Sequence, residues 1–385
     1  MTSERTGNPD AASPPVSNGP AVLNGANPSG NLPFSGGRTG RYTYAALDLG
    51  TNNCRLLIAR PGREGFRIVD AFSRIVRLGE GLGQSGELAE PAIRRTISAL
   101  TICREKMENR GVNRARLIAT EACRAARNGE EFLGRVRSEV GLDLEIIDRR
   151  TEAHLAAAGC AALVDQDAES ILLFDIGGGS TEVVWLSRRG EGPAPHRLES
   201  RIRAWTSLQL GVVTLSERFG GKQVDAAVFE AMVNFVTRHL DAFTDQVAEE
   251  DRCDRFHLLG TSGTVTTLAG VHLGLLRYDR RVVDGLWMSN DEVSDAMDLL
   301  RDMTYEERAA NGCIGYERAD LVLAGCAIFE AIRRSFPSDR IRIADRGLRE
   351  GILMQLMSAD RVWRPPAQNN YAGSKGTASQ SGTKP

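Results

Sequence analysis

The chain has 385 residues, of which 42% are hydrophobic and 25% charged, a composition typical of a folded protein with room for two domains. Its 48 Lys and Arg nearly balance its 50 Asp and Glu, which argues against nucleic acid or an anionic membrane surface as a partner. No apolar run reaches the length of a membrane span, and the N-terminal segment lacks the apolar core of a secretory signal. Any polyanion that this chain handles must therefore meet a local site.

The cysteines and histidines suggest neither a disulfide framework nor a histidine-based metal site. Seven cysteines are scattered without a C-x-x-C pair, and none of the five histidines forms an H-x-x-x-H arrangement. An odd number of cysteines in a chain of this length favours reduced thiols. We therefore expect a cytoplasmic location.

The first half of the chain predicts an α/β lobe. Residues 1–42 are rich in Pro, Gly, Ser and Asn and are expected to be disordered. YAALDLGTNNCRLLIAR (44–60) predicts a hairpin, because two apolar runs flank a polar turn. A helix follows over 91–111, with Pro91 at its start and Gly111 as its stop. Strands and helices then alternate, as in α/β proteins.

The second half restarts with the same hairpin pattern in ILLFDIGGGSTEVVWLSRR (171–189). Beyond it we predict helices near 211–219, 224–249, 262–275 and 317–336, a strand over 255–261, and a closing strand and helix. SNDE (289–292) and TYEE (304–307) are capping-box sequences that predict two further helix starts.

These patterns divide the chain into two lobes and two tails. The first lobe is predicted over 43–154 and the second over 155–345. A helix over 346–358 is expected to return to the first lobe, and the tail over 359–385 to be disordered.

The two hairpins resemble each other. ALDLGTNNCRLLI and LFDIGGGSTEVVW both read apolar, Asp, apolar, Gly, then small polar residues and a second apolar strand. A single D-x-G is a common turn signal. Two copies, each opening an α/β unit, favour two similar lobes whose loops face a shared cleft.

The glycine-rich loop predicts a phosphate site. Gly177–Gly179 and Ser180 lie between two strands, where successive backbone N–H groups can bind phosphate oxygens. Asp48 and Asp175 stand beside the two loops, and a carboxylate beside a phosphate implies a hard cation such as Mg²⁺ between them. Glu182 could join this metal site. The run lacks the Lys of a P-loop and the helix of a dinucleotide fingerprint.

GTSGTVTTLAG (260–270) predicts a third anion site, because small residues follow a strand and open a helix. An ordinary N-cap by Thr261 or Ser262 explains the pattern equally well. Arg124 and Arg127 follow another strand end and could contact phosphate, although a solvated helix start is favoured for Arg127.

Glu152, in RRTEAHL, is a lone Glu early in a helix, which is usually a surface residue favoured by the helix dipole. Nothing in its spacing singles it out.

Taken together, the motifs resemble the exopolyphosphatase and guanosine-pentaphosphatase family, Ppx/GppA. The resemblance runs from about Tyr44 to about Met357 and rests on LDLGTNNCRLLIA, RLGEGLG, RTEA, FDIGGGSTEVV, LQLGVVTLSERF, GTSGTVTTLAG, ERADLVLAG and ADRGLREGIL. It implies the two-lobed α/β fold of actin, sugar kinases and Hsp70-like ATPases, a ribonuclease H-like duplication with an interlobe cleft. The chain resembles the short form of the family, which lacks a C-terminal helical HD-type domain.

The resemblance also implies an activity, namely Mg²⁺-dependent release of terminal phosphate from inorganic polyphosphate or guanosine pentaphosphate by in-line attack of water. Mn²⁺ and a monovalent K⁺ are alternative cations, and a homodimer is compatible with the family. The general base falls on Glu152, whose neighbours Thr151 and His154 replace the family's Glu and Arg. The implied metal ligands are Asp48, Asp175 and Glu182. The implied phosphate ligands are Thr51, Asn52, Asn53, Arg124, Gly177, Gly178, Gly179, Ser180, Ser262, Gly263 and Thr264.

Two alternatives stay open. One is a non-enzymatic regulator that binds the alarmone or polyphosphate, which would need the cleft but not Glu152. The other is an ATP-using protein of the sugar-kinase or actin type, which would share both hairpin loops. Neither the preference between polyphosphate and guanosine pentaphosphate nor the oligomeric state follows from the sequence.

Overall fold

The computed structural model describes residues 42–62, 65–165, 167–188, 198–249 and 255–362. The segments predicted to be disordered, 1–42 and 359–385, lie outside these ranges except at their inner borders, where the last helix includes Ala359. No helix in the described part of the chain is both long and apolar enough to cross a bilayer.

The strands form two mixed sheets. The first contains β1 (Tyr44–Leu49), β2 (Asn53–Gly62), β3 (Gly65–Ile75), β4 (Arg114–Ala119) and β5 (Glu145–Ile146) in the order β3-β2-β1-β4-β5. The second contains β6 (Ser170–Ile176), β7 (Thr181–Ser187), β8 (Ile202–Leu208), β9 (Phe256–Thr261), β10 (Trp287–Ser289) and β11 (Arg340–Ala344) in the order β10-β11-β9-β6-β7-β8.

The two sheets share one central topology. β1 pairs antiparallel with β2 and parallel with β4, and β6 pairs antiparallel with β7 and parallel with β9. The outer strands repeat the relationship, because β3 lies antiparallel beside β2 and β8 antiparallel beside β7. The duplication predicted from the two hairpin sequences is therefore present in the fold, with β10 as an addition to the second sheet.

The helices follow the strands of each sheet. They are α1 (Leu82–Ser85), α2 (Glu90–Asn109), α3 (Glu121–Ala125), α4 (Gly129–Arg135), α5 (Arg149–Cys160), α6 (Val212–Phe219), α7 (Ala226–Glu249), α8 (Gly263–His272), α9 (Arg280–Val283), α10 (Asn290–Asp302), α11 (Tyr305–Ala310), α12 (Val322–Ser335) and α13 (Leu348–Ala359). We call the first sheet with α1–α4 the first lobe, and the second sheet with α6–α12 the second lobe.

Local sequence explains several helix boundaries. Pro91 lies in the first turn of α2, and both predicted capping boxes are confirmed at the starts of α10 and α11. Other elements differ from the predictions. The helix expected over 317–336 begins only at Val322, after a run of turns, and β8 falls in a stretch where no strand was predicted.

Alternating residues send each sheet's apolar side chains to opposite faces. In β1, Leu47 and Leu49 pack toward α2, whereas Tyr44 and Ala46 pack toward α13. The second sheet likewise packs one face against α7, α8 and α12 and the other against α5. Each sheet is therefore covered on both sides, and α5 and α13 lie between the lobes.

Glycines let α5 and α13 approach closely. A Cβ at Gly159 would lie 1.9 Å from the carbonyl oxygen of Gly347, and one at Gly351 would lie 2.1 Å from that of Leu155. Only glycine fits at such contacts. The lobe boundary predicted at 154/155 falls inside α5, and α13 packs on β1 as well as on α5.

Candidate active site

A cavity of about 500 Å³ lies between the lobes, where both hairpin loops and the start of α8 meet. Every predicted site residue except Arg124 lines it, namely Asp48, Thr51, Asn52, Asn53, Glu152, Asp175, Gly177, Gly178, Gly179, Ser180, Glu182, Ser262, Gly263 and Thr264. Residues from four separate stretches of the sequence therefore converge on one cavity.

Strand register places two acids of the cavity on one face. In the second hairpin Asp175 pairs directly with Glu182, and in the first hairpin Asp48 pairs with Arg55. Directly opposite residues of an antiparallel pair project from the same face, with Cβ atoms about 5 Å apart. Each hairpin therefore delivers one Asp and one further charged residue to the cavity.

The glycine run is explained by contact between the two loops as well as by access for a ligand. A Cβ at Gly178 would lie 3.0 Å from the backbone nitrogen of Asn52, and a Cβ at Gly179 only 2.5 Å from Oγ1 of Thr51. None of the three glycines has positive φ, so space rather than backbone conformation requires glycine here. The loop of the second lobe thus packs directly on the loop of the first.

The side-chain amide oxygens of two residues in the first loop have no hydrogen-bond partner among the described residues. Oδ1 of Asn52 and Oδ1 of Asn53 are both buried, and neither is hydrogen bonded within the described residues. A buried polar atom without a partner is costly, so such atoms call for a ligand, an ion or water. Because the amide oxygen and nitrogen can be interchanged, the observation calls for a polar partner without fixing its charge.

The start of α8 departs from an ordinary N-cap. Ser262 occupies the N-cap position, yet its side chain makes no capping bond and its φ is +80°. A non-glycine residue in this backbone region is strained, and such strain concentrates at functional sites. Thr261 is engaged elsewhere, since its Oγ1 donates to the carbonyl of Arg346 at 2.7 Å. These contacts favour the anion-site interpretation over the capping one.

Glu152 lies in the first turn of α5, where Asp148 caps the helix by accepting from the Thr151 amide at 2.7 Å. Its side chain is almost fully buried at the cavity wall, and its Oε2 accepts from Nη2 of Arg124 at 3.0 Å. Arg124 does not line the cavity, because its guanidinium is bonded to Glu121, Glu152 and the carbonyl of Ile147. The structure thus places Arg124 behind Glu152; the role of Arg124 as a phosphate ligand stays a prediction.

Burial raises the pKa of every acid at the centre of the site. Desolvation raises the pKa of Asp175 to about 6, and the negative charge of Asp48 adds to the effect. Desolvation likewise raises the pKa of Glu182, with Asp175 as the repelling neighbour, and the pKa of Asp48. The pKa of Glu152 is raised first by burial and then by the charge of Glu182. A bound cation would stabilise the ionised forms of these neighbouring carboxyl groups.

The sequence did not identify three arginines that face the same cavity. Arg55, Arg318 and Arg349 line it, and none of them forms an ion pair or a side-chain hydrogen bond with the residues that the structure describes. Desolvation lowers the pKa of Arg318 and of Arg349, so keeping either guanidinium group charged costs free energy. Arg55 had a sequence signal, because it faces Asp48 across the hairpin. The other two come from distant segments without such a signal.

The acids fit a magnesium ion that is shared with a ligand. The described residues contain no group of three or more His, Cys, Asp or Glu that could hold a metal ion. Mg²⁺ does not require such a group, because it usually binds one or two carboxylates together with water and phosphate oxygens. Asp48, Asp175 and Glu182 supply hard oxygen donors, and none of them is ion-paired in the described part of the chain. The donor set therefore suits Mg²⁺.

Comparison with known proteins agrees with this geometry. The model of the Ppx/GppA phosphatase family matches residues 57–360. A guanosine-5'-triphosphate,3'-diphosphate pyrophosphatase of Photobacterium profundum is 29% identical over 327 residues, which cover 83% of this chain but only 60% of that protein. Exopolyphosphatase 2 of Mycobacterium tuberculosis is 28% identical over 326 residues, covering 81% of this chain and 98% of that protein.

A solved structure supports the same conclusion. The crystal structure of the Aquifex aeolicus member of the Ppx/GppA family aligns with a TM-score of 0.67 and 30% identity, covering 83% of this chain and 99% of that one. The two-lobed α/β fold predicted from the sequence, that of actin, sugar kinases and Hsp70-like ATPases, is confirmed by this match and by the duplicated topology. The chain belongs to the Ppx/GppA phosphatase family.

Proposed function

We propose that this protein is a phosphohydrolase that releases terminal orthophosphate from inorganic polyphosphate, guanosine pentaphosphate or both. The family and the names of the two relatives support the reaction class. Both substrates end in a phosphoanhydride, which is the group that the cavity would have to bind and cleave.

One observation carries the proposal. Three carboxylates and three guanidinium groups face a single cavity, and no ion pair joins any of the six to another described residue: Asp48, Asp175, Glu182, Arg55, Arg318 and Arg349. Glu182 is buried and the other five are only partly exposed; charges in such positions are normally paired, because an isolated and poorly solvated charge is expensive. Charged groups of both signs without an ion-pair partner in the described part of the chain suit a ligand that combines a cation with a polyanion, such as a magnesium-bound phosphate chain.

The residues of the cavity suggest how the reaction proceeds. The backbone amides of the loops at 50–53 and 177–180, with those at the start of α8, would bind the terminal phosphates from two sides. One or two of Asp48, Asp175 and Glu182, together with phosphate oxygens, would hold Mg²⁺, which would supply neutralisation of the phosphate charge. The guanidinium groups facing the cavity would stabilise the charge that develops on the transferred group.

Glu152 would act as the general base. Only its Oε2 is hydrogen bonded within the described residues, which leaves Oε1 without a protein donor at the cavity wall. Its raised pKa makes its ionised form a stronger proton acceptor than the carboxylate of an exposed Glu. Glu152 would orient a water in line with the leaving oxygen and take its proton.

The test is phosphate release from the purified chain, offered long-chain polyphosphate, guanosine pentaphosphate and ATP in parallel, with Mg²⁺ or with EDTA. We expect Mg²⁺-dependent release from at least one of the first two. Binding of either without release would favour the regulator, and turnover of ATP alone would favour the kinase-like or actin-like alternative. Equal release in EDTA would contradict the assigned role of Mg²⁺.

A further inference from the structure

Glu121 is a buried acid at the cavity wall that the sequence did not single out. It is the first residue of α3, separated from the end of β4 by Thr120, and its side chain is only 8% exposed. Its carboxylate accepts from two arginines. Nε and Nη2 of Arg124 donate to Oε2 at 3.0 and 2.6 Å, and Nη2 of Arg149 donates to Oε1 at 3.1 Å.

Arg124 connects this carboxylate to the proposed base. Its Nη2 is shared between Glu121 and Oε2 of Glu152, at 2.6 and 3.0 Å, while its Nη1 donates to the carbonyl of Ile147 at 2.6 Å. The planar guanidinium is thus fixed at three nitrogens, and its orientation decides where Oε2 of Glu152 lies. Without Glu121, Nε of Arg124 would lose its acceptor and Nη2 would keep only Glu152.

The local fold explains why the three groups meet. β4 and β5 run parallel, so α3 and α5, which follow them, begin at the same edge of the first sheet. Glu121 and Glu152 are both in the first turn of their helices, and Arg124 lies one turn further along α3. The spacing of three residues brings Arg124 back over Glu121.

We propose that Glu121 is a positioning residue, which holds the guanidinium of Arg124 so that Glu152 presents its free oxygen to the attacking water. This inference rests on the proposed function, since it assigns Glu121 a part in the same reaction. It predicts that Glu121 acts on the chemical step and not on substrate binding, because its own oxygens are occupied by arginines.

The first experiment measures kcat and KM for phosphate release by Glu121→Gln and Glu121→Ala. We expect kcat to fall about tenfold or more in Glu121→Ala and less in Glu121→Gln, which keeps one acceptor, with KM changed by less than about twofold. Glu130→Ala, at an exposed position nearby, is the matched control and should keep wild-type kcat. Wild-type kcat in both Glu121 variants, or a change in KM alone, would overturn the inference.

The second experiment asks whether Glu121 acts through Arg124. Adding Glu121→Ala to Arg124→Ala should lower kcat no further, because coupled residues give non-additive effects. If kcat of the double variant fell by the product of the two single-variant losses, the coupling would be refuted. Arg149→Ala should have the smaller effect, since Arg149 contacts Glu121 but not Glu152.

A structural readout separates this inference from the proposed function. If the wild-type chain released no phosphate, the proposed function would fail. The positioning itself would still be tested by a crystal structure of Glu121→Gln, which also covers the case in which Glu121→Ala does not fold. We expect the hydrogen bond from Arg124 to Glu152 to be lost or displaced. An unchanged Arg124 and Glu152 would overturn the inference.

Discussion

Arg77 of the first lobe donates two hydrogen bonds to the carboxylate of Asp320 in the second lobe, from Nη2 at 2.8 Å and from Nη1 at 3.0 Å. The backbone of Arg77 also holds the first hairpin loop, because its amide donates to the carbonyl of Asn52 at 3.0 Å. Arg77 adopts a φ of +47°, a region that non-glycine residues rarely enter. The ion pair therefore links Arg77, whose strained backbone supports the first loop, to the opposite lobe.

We expect Arg77→Ala and Asp320→Ala to destabilise the protein through this shared contact. The pair is partly exposed, so its coupling free energy should be about 1 kcal/mol or less. Urea unfolding of both single variants and of the double variant measures it. The double variant should be less destabilised than the sum of the singles; strictly additive losses would show that the pair contributes nothing.

Gly179→Ala should separate the two hairpin loops. The added Cβ would lie 2.5 Å from Oγ1 of Thr51, and overpacking of this kind costs about 1–3 kcal/mol. Unfolding free energy and phosphate release should both fall. Thr51→Ala, which removes the two nearest clashing atoms, should restore part of the stability of Gly179→Ala.

Gly134→Ala is the control for this prediction. Gly134 lies in α4, where an added Cβ would have no neighbouring atom within 4 Å and where φ is not positive. Alanine should therefore be neutral there or stabilising by up to about 1 kcal/mol. If Gly179→Ala were as stable and as active as Gly134→Ala, the close contact between the loops would not be needed.

The metal-free protein should lose stability as the pH rises from about 4 to about 6. The pKa of Asp175 is raised to about 6 in the folded state, from an ordinary value near 4. Over that interval the unfolded chain has already released a proton that the folded chain retains, so rising pH favours unfolding. The loss from this group amounts to about 3 kcal/mol at most, and the other buried acids add to it.

Asp175→Asn tests the assignment. In EDTA, its unfolding free energy should fall less between pH 4 and pH 7 than that of the wild type, and Asp298→Asn, at an exposed position, should behave like the wild type. A pH dependence identical in Asp175→Asn and the wild type would contradict the raised pKa.

Local sequence patterns predicted the two hairpin loops of the cavity. The two hairpins were recognisable because apolar strands, an Asp and small residues recur in the same order, and the pairing of Asp175 with Glu182 follows from the length of the turn. Spacing could not select Glu152, because a Glu in the first turn of a helix is ordinary until the fold buries it. Its assignment came from the family resemblance and still awaits a test.

The remaining site residues could not be predicted from local patterns, because tertiary contacts bring them to the cavity. Arg318 and Arg349 reach the cavity from the turn before α12 and from α13, which only the assembled lobes bring together. Glu121 starts a helix just beyond the end of β4 at Ala119, a position that no local sequence pattern marks as functional. The glycine run was interpreted as space for phosphate alone, and its contact with Thr51 lies across the cleft.

The most direct test of the account is kcat for phosphate release by Glu152→Gln, with Glu130→Gln as a matched control at an exposed position. Because Gln cannot accept the proton of the attacking water, we expect kcat to fall about 100-fold or more, with folding and substrate binding retained. The control should keep wild-type activity. A Glu152→Gln variant with wild-type kcat would contradict the proposal that this cavity hydrolyses phosphoanhydrides with Glu152 as its base.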